Sequence, residues 1–148
     1  EKAKTKLWYE NTLIIVIADH GHNRPGNSPR YDPARYHIPM LWLGGAVSVS
    51  DTVITRICGQ TDLAATLLNQ VKIDSKDFIW SRDVLDPATP SGVLYAFNDG
   101  VGYLNDRGCL IYDHAGQSFI RNDSTMVDDD RELALAYIQS AYRDFLRR

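Results

Sequence analysis

An aspartate and a histidine stand side by side directly after the longest apolar run of this sequence. The run Leu13–Ala18 is followed at once by Asp19, His20 and Gly21. A continuous β-branched run without alternation predicts a strand buried on both faces, as in the parallel sheet of an α/β protein. Ligands bind outside the carboxyl ends of such strands, and a carboxylate beside an imidazole is a natural ligand pair for a divalent metal. The alternative is that Asp19 caps a turn and His20 is a surface residue.

The segment after this pair, residues 19–37, is predicted to be a long irregular loop because glycine, proline and asparagine recur throughout it. Loops of more than about 12–15 residues without regular structure are uncommon in compact domains and are often functional. Arginines outnumber acids in this loop, which favours an anion as its ligand; ordinary surface charge is the alternative for each of them. The arginines are Arg24, Arg30 and Arg35.

The elements that must position these residues follow from periodicity and turn signals. Residues 1–10 are compatible with a helix, and Ile38–Gly44 predicts a second buried strand beside the first. Gln60–Val71 predicts a helix, with Thr61 and Asp62 as cap candidates at its start. The first seventy residues therefore predict two strands and two helical segments around one long loop.

The character of the chain changes after residue 92. Short aromatic and β-branched stretches, separated by turns that contain glycine, predict an antiparallel meander. Asp128–Asp130 then precedes a predicted terminal helix, where the three acids favour the N-terminal end by capping and solvation. The predicted apolar stripe of this helix is Leu133, Ala136, Tyr137, Ala141 and Phe145.

Composition limits the classes of protein that fit. The 148 residues, about one domain's length, are 44% hydrophobic and 24% charged, which excludes wholesale disorder. A net charge of −3 argues against nucleic-acid binding as the main task, and no apolar run reaches the roughly 18–20 residues of a membrane-spanning helix. Cys58 and Cys109 are too few for a disulfide scaffold, and a bridge between them stays open.

Four motifs follow one another in the first part of the chain. They are Trp8-Tyr9-Glu10-Asn11-Thr12, Asp19-His20-Gly21, Ile38-Pro39-Met40 and Gln60-Thr61-Asp62-Leu63-Ala64-Ala65-Thr66-Leu67-Leu68. In this order they resemble the later part of the sulfatase-like hydrolases of the alkaline phosphatase superfamily. The resemblance is greatest to the branch of lipoteichoic acid synthase and its membrane-anchored relatives. It is firm over residues 1–70 and looser over the meander and the terminal helix.

The resemblance implies roles for individual residues. Asp19 and His20 match the late pair of ligands for a divalent ion (manganese, calcium, zinc or magnesium), and His22 and His37 match contacts to the oxyanion of the substrate. The nucleophile of the family, a threonine or a modified cysteine or serine, lies well upstream of the Asp-His-Gly motif. This chain opens without Met and has only eighteen residues before Asp19, so we expect a piece of a longer protein in which that nucleophile is missing. Neither cysteine lies in the Cys-x-Pro-x-Arg setting of the modified nucleophile.

The resemblance also implies the organisation of the chain. We expect the C-terminal portion of an alkaline-phosphatase-like α/β sandwich: residues 1–91 in the catalytic core, 92–127 as the meander and 128–148 as the terminal helix. The parent is expected to hydrolyse or transfer a sulfate or phosphate ester and to be membrane-anchored, with this domain outside the cytoplasm. The fragment alone is expected to be soluble, inactive and prone to self-association through an unpaired strand edge.

Two other functional classes were weighed against this reading. One is a non-catalytic binding module that retains a remnant of the fold. The other is a cobalamin- or nucleotide-binding flavodoxin-like domain, which the absence of a glycine-rich phosphate loop disfavours. Sulfate and phosphate esters cannot be separated from the sequence because both present tetrahedral oxyanions of similar size.

Overall fold

The structure is a computed structural model that describes residues 1–24, 26–47 and 51–147. The chain divides into two compact units, Glu1–Thr55 and Arg56–Arg148. The predicted division of the chain at residues 91 and 127 stays a prediction.

The first unit is built on a two-stranded antiparallel ribbon. Strand β1, Ile14–Ile17, pairs with strand β2, Met40–Leu43, so that Ile17 lies opposite Met40. Both strands lie where the apolar runs predicted them. Because the two strands are antiparallel, the end of β1 and the start of β2 lie at the same end of the ribbon, which is where the long loop begins and ends.

Burial of this ribbon differs from the sequence expectation. The side chains of Val16 and Leu41 are each 54% exposed, and no described residue of the first unit is buried. The expectation of a strand buried on both faces is therefore wrong for this chain taken alone. Paired strands contact each other along their edges, so neither strand covers a face of the other. Trp42 is partly buried, and its indole N–H is enclosed without a hydrogen-bond partner.

The segment before β1 is not the helix that residues 1–10 allowed. It forms successive turns and a single turn of 3₁₀ helix over Tyr9–Asn11. A helix this short is marginal in water without an apolar face to pack, and here Leu7 is 99% exposed. The Gly45 N–H donates to the Tyr9 carbonyl oxygen at 2.9 Å, which holds the segment beside the end of β2.

The second unit contains the predicted antiparallel meander and both α-helices. Four strands pair in sequence order: β3 Val93–Phe97, β4 Gly100–Asn105, β5 Gly108–Asp113 and β6 Ser118–Asn122. Before them, a 3₁₀ turn over Gln60–Asp62 leads into helix α1, Leu63–Gln70. Helix α2, Asp128–Arg147, follows the sheet. The fold class predicted from the sequence, α/β with a small meander and a terminal helix, is confirmed.

The core of this unit lies between α2 and the sheet. Tyr103, Leu110, Met126 and Ala134 form one buried cluster, with Leu94 packed against it. The predicted apolar stripe of α2 is thus partly wrong: the small side chain of Ala134 faces the sheet, while Leu133 and Phe145 are 51% and 75% exposed. Farther along α2, the Trp80 indole N–H donates to the Asp144 carboxylate at 2.9 Å, and the Trp80 ring stands edge-on to Tyr137.

Aromatic rings cover two glycines of the central strand β4. A Cβ added at Gly102 would lie 2.1 Å from the Tyr95 ring, and one at Gly100 would lie 2.5 Å from the Phe97 ring. These glycines therefore make room for the rings of the neighbouring strand. The same region holds Cys109, which is fully buried, and Cys109 and Cys58 are not joined in a disulfide. No helix among residues 1–24, 26–47 and 51–147 has both the length and the apolar character needed to cross a membrane.

Asp130 corrects the expectation that the acids before α2 serve capping and solvation alone. Its side chain is 1% exposed, and it forms an ion pair with Arg107. One carboxylate oxygen also accepts from the Asn105 amide at 2.8 Å, and the other accepts from the Val127 N–H at 3.0 Å. Asp130 therefore caps α2 and joins it to the β4–β5 turn, whereas its neighbours Asp128 and Asp129 are exposed.

This network predicts how stability depends on acid. The hydrogen bonds from Arg107 are the main cause that lowers the pKa of Asp130 to about 2. A carboxyl whose pKa is lowered by folding stabilises the fold above its unfolded value, and that contribution is lost as pH falls through the folded value. We expect the unfolding free energy to fall more steeply between about pH 4 and pH 2 in the wild type than in Asp130→Asn, measured by denaturant titration. Asp129→Asn is the matched control, and equal slopes for the wild type and Asp130→Asn would contradict the prediction.

Candidate active-site end of the ribbon

The predicted site residues of the first unit emerge from one end of the β1–β2 ribbon. Asp19 and His20 follow β1, and two residues separate His37 from the start of β2. The Ala18 N–H donates to the Pro39 carbonyl oxygen at 3.4 Å, which continues the pairing beyond the strands. The chain segments that carry these residues therefore share one rim; their roles as ligands and substrate contacts stay predictions.

Gly21 brings the two ends of the loop together. A Cβ at this position would lie 1.8 Å from the Arg35 carbonyl oxygen and 3.0 Å from the Cα of Tyr36, so no other residue fits without moving the backbone. His22 follows Gly21, and His37 follows Tyr36. The close approach thus holds the backbone at both histidines near the same point. The sequence analysis missed this contact because no local pattern encodes it.

Asp19 and His20 are arranged as two ligands of one metal ion would be. The His20 Nε2 lies 3.7 Å from the Asp19 Oδ2, while its Nδ1 donates to the Gly21 carbonyl oxygen at 2.8 Å. Because a carbonyl oxygen only accepts, the proton of the neutral ring is on Nδ1 and Nε2 carries a lone pair. At this separation both atoms could bind one divalent ion.

Hydrogen bonds with nearby backbone groups also orient the Asp19 and His20 side chains for metal binding. The Asp19 Oδ1 accepts from the His20 N–H at 3.0 Å, which orients the carboxylate. A hydrogen bond from the second ring nitrogen to a carbonyl is the usual support of a metal-binding histidine. Both side chains are exposed, 90% for Asp19 and 75% for His20. The residues present therefore fit a divalent metal in type, distance and orientation.

The rest of a metal site is not found in the described part of the chain. No group of three or more histidine, cysteine, aspartate or glutamate side chains there could hold an ion together. Two ligands leave a divalent ion mostly coordinated by water, so the pair alone supplies little binding energy. A complete centre requires further ligands from elsewhere.

The long loop has its own internal order. Asp32 caps a one-turn 3₁₀ helix over Pro33–Arg35 by accepting from the Ala34 N–H at 2.9 Å. The Arg35 guanidinium donates to the Ser28 carbonyl oxygen at 3.2 Å, and the Tyr36 hydroxyl donates to the Arg30 carbonyl oxygen at 2.7 Å. Arg35 thus helps to fold the loop, while Arg24 and Arg30 are exposed. Of the three predicted loop cations, these two have the exposure that an anion contact needs.

The histidines of the loop differ in what holds them. The His22 Nδ1 accepts from the Arg24 N–H at 3.0 Å, which fixes the ring within the turn after Gly21. His37 is exposed at the other end of the loop. His114 is exposed and lies in the turn after β5, with its ring edge-on to Tyr112.

In the second unit, the motif around α1 serves packing. The Asp62 carboxylate is 2% exposed and accepts from Arg82 at 2.8 Å through Nη2 and at 3.1 Å through Nε. Thr66, 1% exposed, donates to the Asp62 carbonyl oxygen at 2.6 Å and accepts from the Val84 N–H at 3.0 Å. Sequence reasoning treated Asp62 as a helix cap and missed Arg82, because the partner lies in an irregular segment twenty residues away.

Neither cysteine has the environment of an activated nucleophile. Burial is the main cause that raises the pKa of the Cys58 thiol, and the charge of Asp62 acts in the same direction. Cys109 is fully buried in the sheet. A reactive cysteine is a thiolate near positive charge and open to substrate, so the described residues offer no cysteine chemistry.

Comparison with known proteins supports the fold. No protein-family model and no curated protein matches this sequence. One solved structure does: a protein in the alkaline phosphatase superfamily from Vibrio parahaemolyticus, 25% identical, with a TM-score of 0.67 over 97% of this chain. The chain spans 38% of the length of that protein. Nearly all of the chain therefore has the fold of part of an alkaline phosphatase superfamily protein.

Proposed function

We propose that this chain is the later part of a metal-dependent hydrolase or transferase of sulfate or phosphate esters, within the sulfatase-like group of the alkaline phosphatase superfamily. The observation that carries the proposal is the ligand geometry of Asp19 and His20 at the end of β1. The superfamily neighbour and the order of the four motifs support it. The motifs favour the lipoteichoic acid synthase branch within this group.

Each part of the loop has a role in this proposal. Asp19 and His20 hold one side of the divalent ion, which when bound polarises the ester and activates the nucleophile. His22 and His37, with the exposed guanidinium of Arg24, stabilise the charge that develops on the equatorial oxygens. The nucleophile, proposed to be a threonine, belongs to the part of the enzyme that precedes this chain.

The proposal extends to the place of the enzyme in the cell. Lipoteichoic acid synthase and its relatives are membrane-anchored and present this domain outside the cytoplasm. We carry that arrangement over to the parent protein on the strength of the motifs, with the anchor in its preceding part. Sequencing the parent gene upstream of this chain tests it: several apolar segments of about 20 residues support the anchor, and a cleavable signal peptide alone contradicts it.

The competing function is a non-catalytic binding module that keeps the fold. The exposure of Asp19 and His20, and the lack of a third ligand in the described part of the chain, favour it. Assay of the complete protein with p-nitrophenyl phosphate and p-nitrophenyl sulfate, with and without manganese, separates the two. Turnover that chelation abolishes supports the enzyme; metal binding without turnover on either ester supports the module.

The 148-residue chain by itself is expected to show no esterase activity and metal affinity no tighter than about millimolar, because its described residues bring together only the two ligands Asp19 and His20 and the nucleophile is proposed to lie outside this chain. The measurement is turnover of the same two esters with added manganese, calcium or zinc, together with calorimetric titration of each ion. His114→Ala serves as the control for adventitious binding by a surface histidine. Metal-dependent turnover that Asp19→Ala abolishes would show that the chain carries its own nucleophile.

A further inference from the structure

Helix α2 carries a second apolar face besides the one that packs against the sheet. Leu135, Tyr142 and Leu146 are 41%, 57% and 80% exposed. Spacings of seven and eleven residues return to the same side of an α-helix, so these side chains form one strip, which we name the α2 stripe. Leu135 and Phe119 of β6 line the same small cavity as the buried Leu110. The stripe therefore joins the edge of the core and continues out to solvent.

The exposed charges of α2 are ordered along the helix. Acidic side chains lie at its beginning and arginines at its end: Asp128, Asp129 and Glu132, then Arg143 and Arg147. Arg131 and Asp144 break this order, but Arg131 is paired with Asp128 and Asp144 accepts from the Trp80 indole. Two parallel copies of α2 would bring like charges together, whereas antiparallel copies bring each acidic end to a basic end and oppose the helix dipoles. The charge order therefore favours an antiparallel second copy.

One antiparallel register satisfies both the apolar and the charged side chains. When two copies of a helix pair about a twofold axis, residues at equal distances from the axis face each other. Leu135 and Tyr142 are equidistant from a point next to Ile138, and Glu132 and Arg143 are equidistant from nearly the same point. Glu132 and Arg143 are eleven residues apart and so lie on the same flank of the stripe, which the twofold axis brings together. The stripe and its flank thus agree on one register.

We propose that a second copy of this chain docks antiparallel on the α2 stripe and forms a symmetric dimer. Leu135 of each copy packs against Tyr142 of the other, and Glu132 of each copy pairs with Arg143 of the other at the rim. Two helix faces in contact over about three turns bury less than the roughly 1,200 Å² of a standard interface. We therefore expect a weak dimer, with a dissociation constant of about 10–100 µM. The proposal does not depend on the proposed function.

Sedimentation equilibrium of the 148-residue chain between about 1 and 300 µM tests the dimer. Tyr142→Glu should raise the dissociation constant at least about tenfold, because it buries a charge against Leu135 of the other copy. Leu133→Glu is the matched control and should leave the dissociation constant within about twofold. Leu133 is 51% exposed, and it lies on the opposite side of α2 because nine residues make two and a half turns. Thermal unfolding followed by circular dichroism checks that both variants keep the fold.

A charge exchange tests the orientation of the two helices. Glu132→Arg and Arg143→Glu should each raise the dissociation constant at least about fivefold, since symmetry turns two rim pairs from attraction to repulsion at once. The double variant restores opposite charges and should return to within about threefold of the wild type. In a parallel dimer each of these residues would face its own copy, so the single exchanges would leave the dissociation constant unchanged.

Three results would overturn the proposal. They are a wild type that stays monomeric at the highest concentration, equal effects of Tyr142→Glu and Leu133→Glu, and no recovery in the double variant. Association that Tyr142→Glu leaves intact would place the contact elsewhere, as expected for the strand edge of the ribbon. In the complete protein, a dimer that Tyr142→Glu weakens supports the proposal. A monomer that Tyr142→Glu destabilises would show that another part of that protein covers the stripe.

Discussion

Replacing Asp62 with alanine is expected to lower the unfolding free energy of the Arg56–Arg148 unit by about 3 kcal/mol, because it breaks a buried ion pair and leaves its partner unsatisfied. The carboxylate accepts two side-chain hydrogen bonds from Arg82 and two backbone ones, from the Gly59 and Arg82 N–H groups, each at 3.0 Å. The Arg82 side chain is 35% exposed. We therefore expect a loss at the lower end of the range of about 3–5 kcal/mol for breaking a buried ion pair. Denaturant titration of the 148-residue chain measures it.

The control for this prediction is Asp77→Ala, which removes an exposed aspartate of the same unit and should change stability by less than about 0.5 kcal/mol. A double-mutant cycle with Arg82→Ala should give a coupling of at least about 1 kcal/mol, as expected for residues in one hydrogen-bond network. A loss below 1 kcal/mol for Asp62→Ala, or additive losses in the cycle, would show that the Asp62–Arg82 pair does not hold the irregular segment around Arg82 to α1.

Replacing Asp19 with alanine is expected to lower the activity and to leave the unfolding free energy nearly unchanged, in contrast to Asp62→Ala. In the complete protein it should lower kcat/KM by more than about 100-fold, since even the outer partners of metal ligands cost 10–100-fold when removed. The Asp19 side chain is 90% exposed, so the unfolding free energy should change by less than about 0.5 kcal/mol. Steady-state hydrolysis of p-nitrophenyl phosphate and sulfate, with thermal unfolding of the same samples, checks both parts.

The matched control is His114→Ala, which removes an exposed histidine of the other unit and should leave turnover unchanged. Partial recovery of the Asp19→Ala variant at high manganese would agree with a weakened ion site. Full activity of Asp19→Ala under limiting metal would instead show that the carboxylate is not a ligand.

The secondary structure could be predicted where the signal is local. The apolar run Leu13–Ala18 predicted β1, the turns that contain glycine predicted the meander, and the acids Asp128–Asp130 predicted the start of α2. The burial of the ribbon could not be predicted from the sequence. An apolar run without alternation is typical of a strand that is covered on both faces. The described residues supply only one neighbouring strand.

The interactions that join distant segments were missed for a different reason. Asp62 and Arg82, and Asp130 and Arg107, are twenty and twenty-three residues apart. Each aspartate stands at the start of a helix, where capping alone explains its presence. Only the fold shows that these carboxylates are nearly fully buried and paired with arginines from irregular or turn segments.

The candidate site shows the same limit. The position of Asp19 and His20 at a strand end follows from the sequence, and so does the long loop after them. The close approach of Gly21 to the Arg35 carbonyl oxygen and the hydrogen bonds that hold the His20 and His22 rings depend on backbone groups, which every residue has. Side-chain patterns carry no record of such contacts.

The location of the metal ion tests most directly whether Asp19 and His20 bind it. Crystals of the complete protein grown with manganese, measured at the manganese absorption edge, give an anomalous map that marks the ion without reference to any assumed chemistry. We expect a peak about 2.0–2.6 Å from an Asp19 carboxylate oxygen and from the His20 Nε2. An active enzyme whose manganese peak lies away from Asp19 and His20 would contradict it.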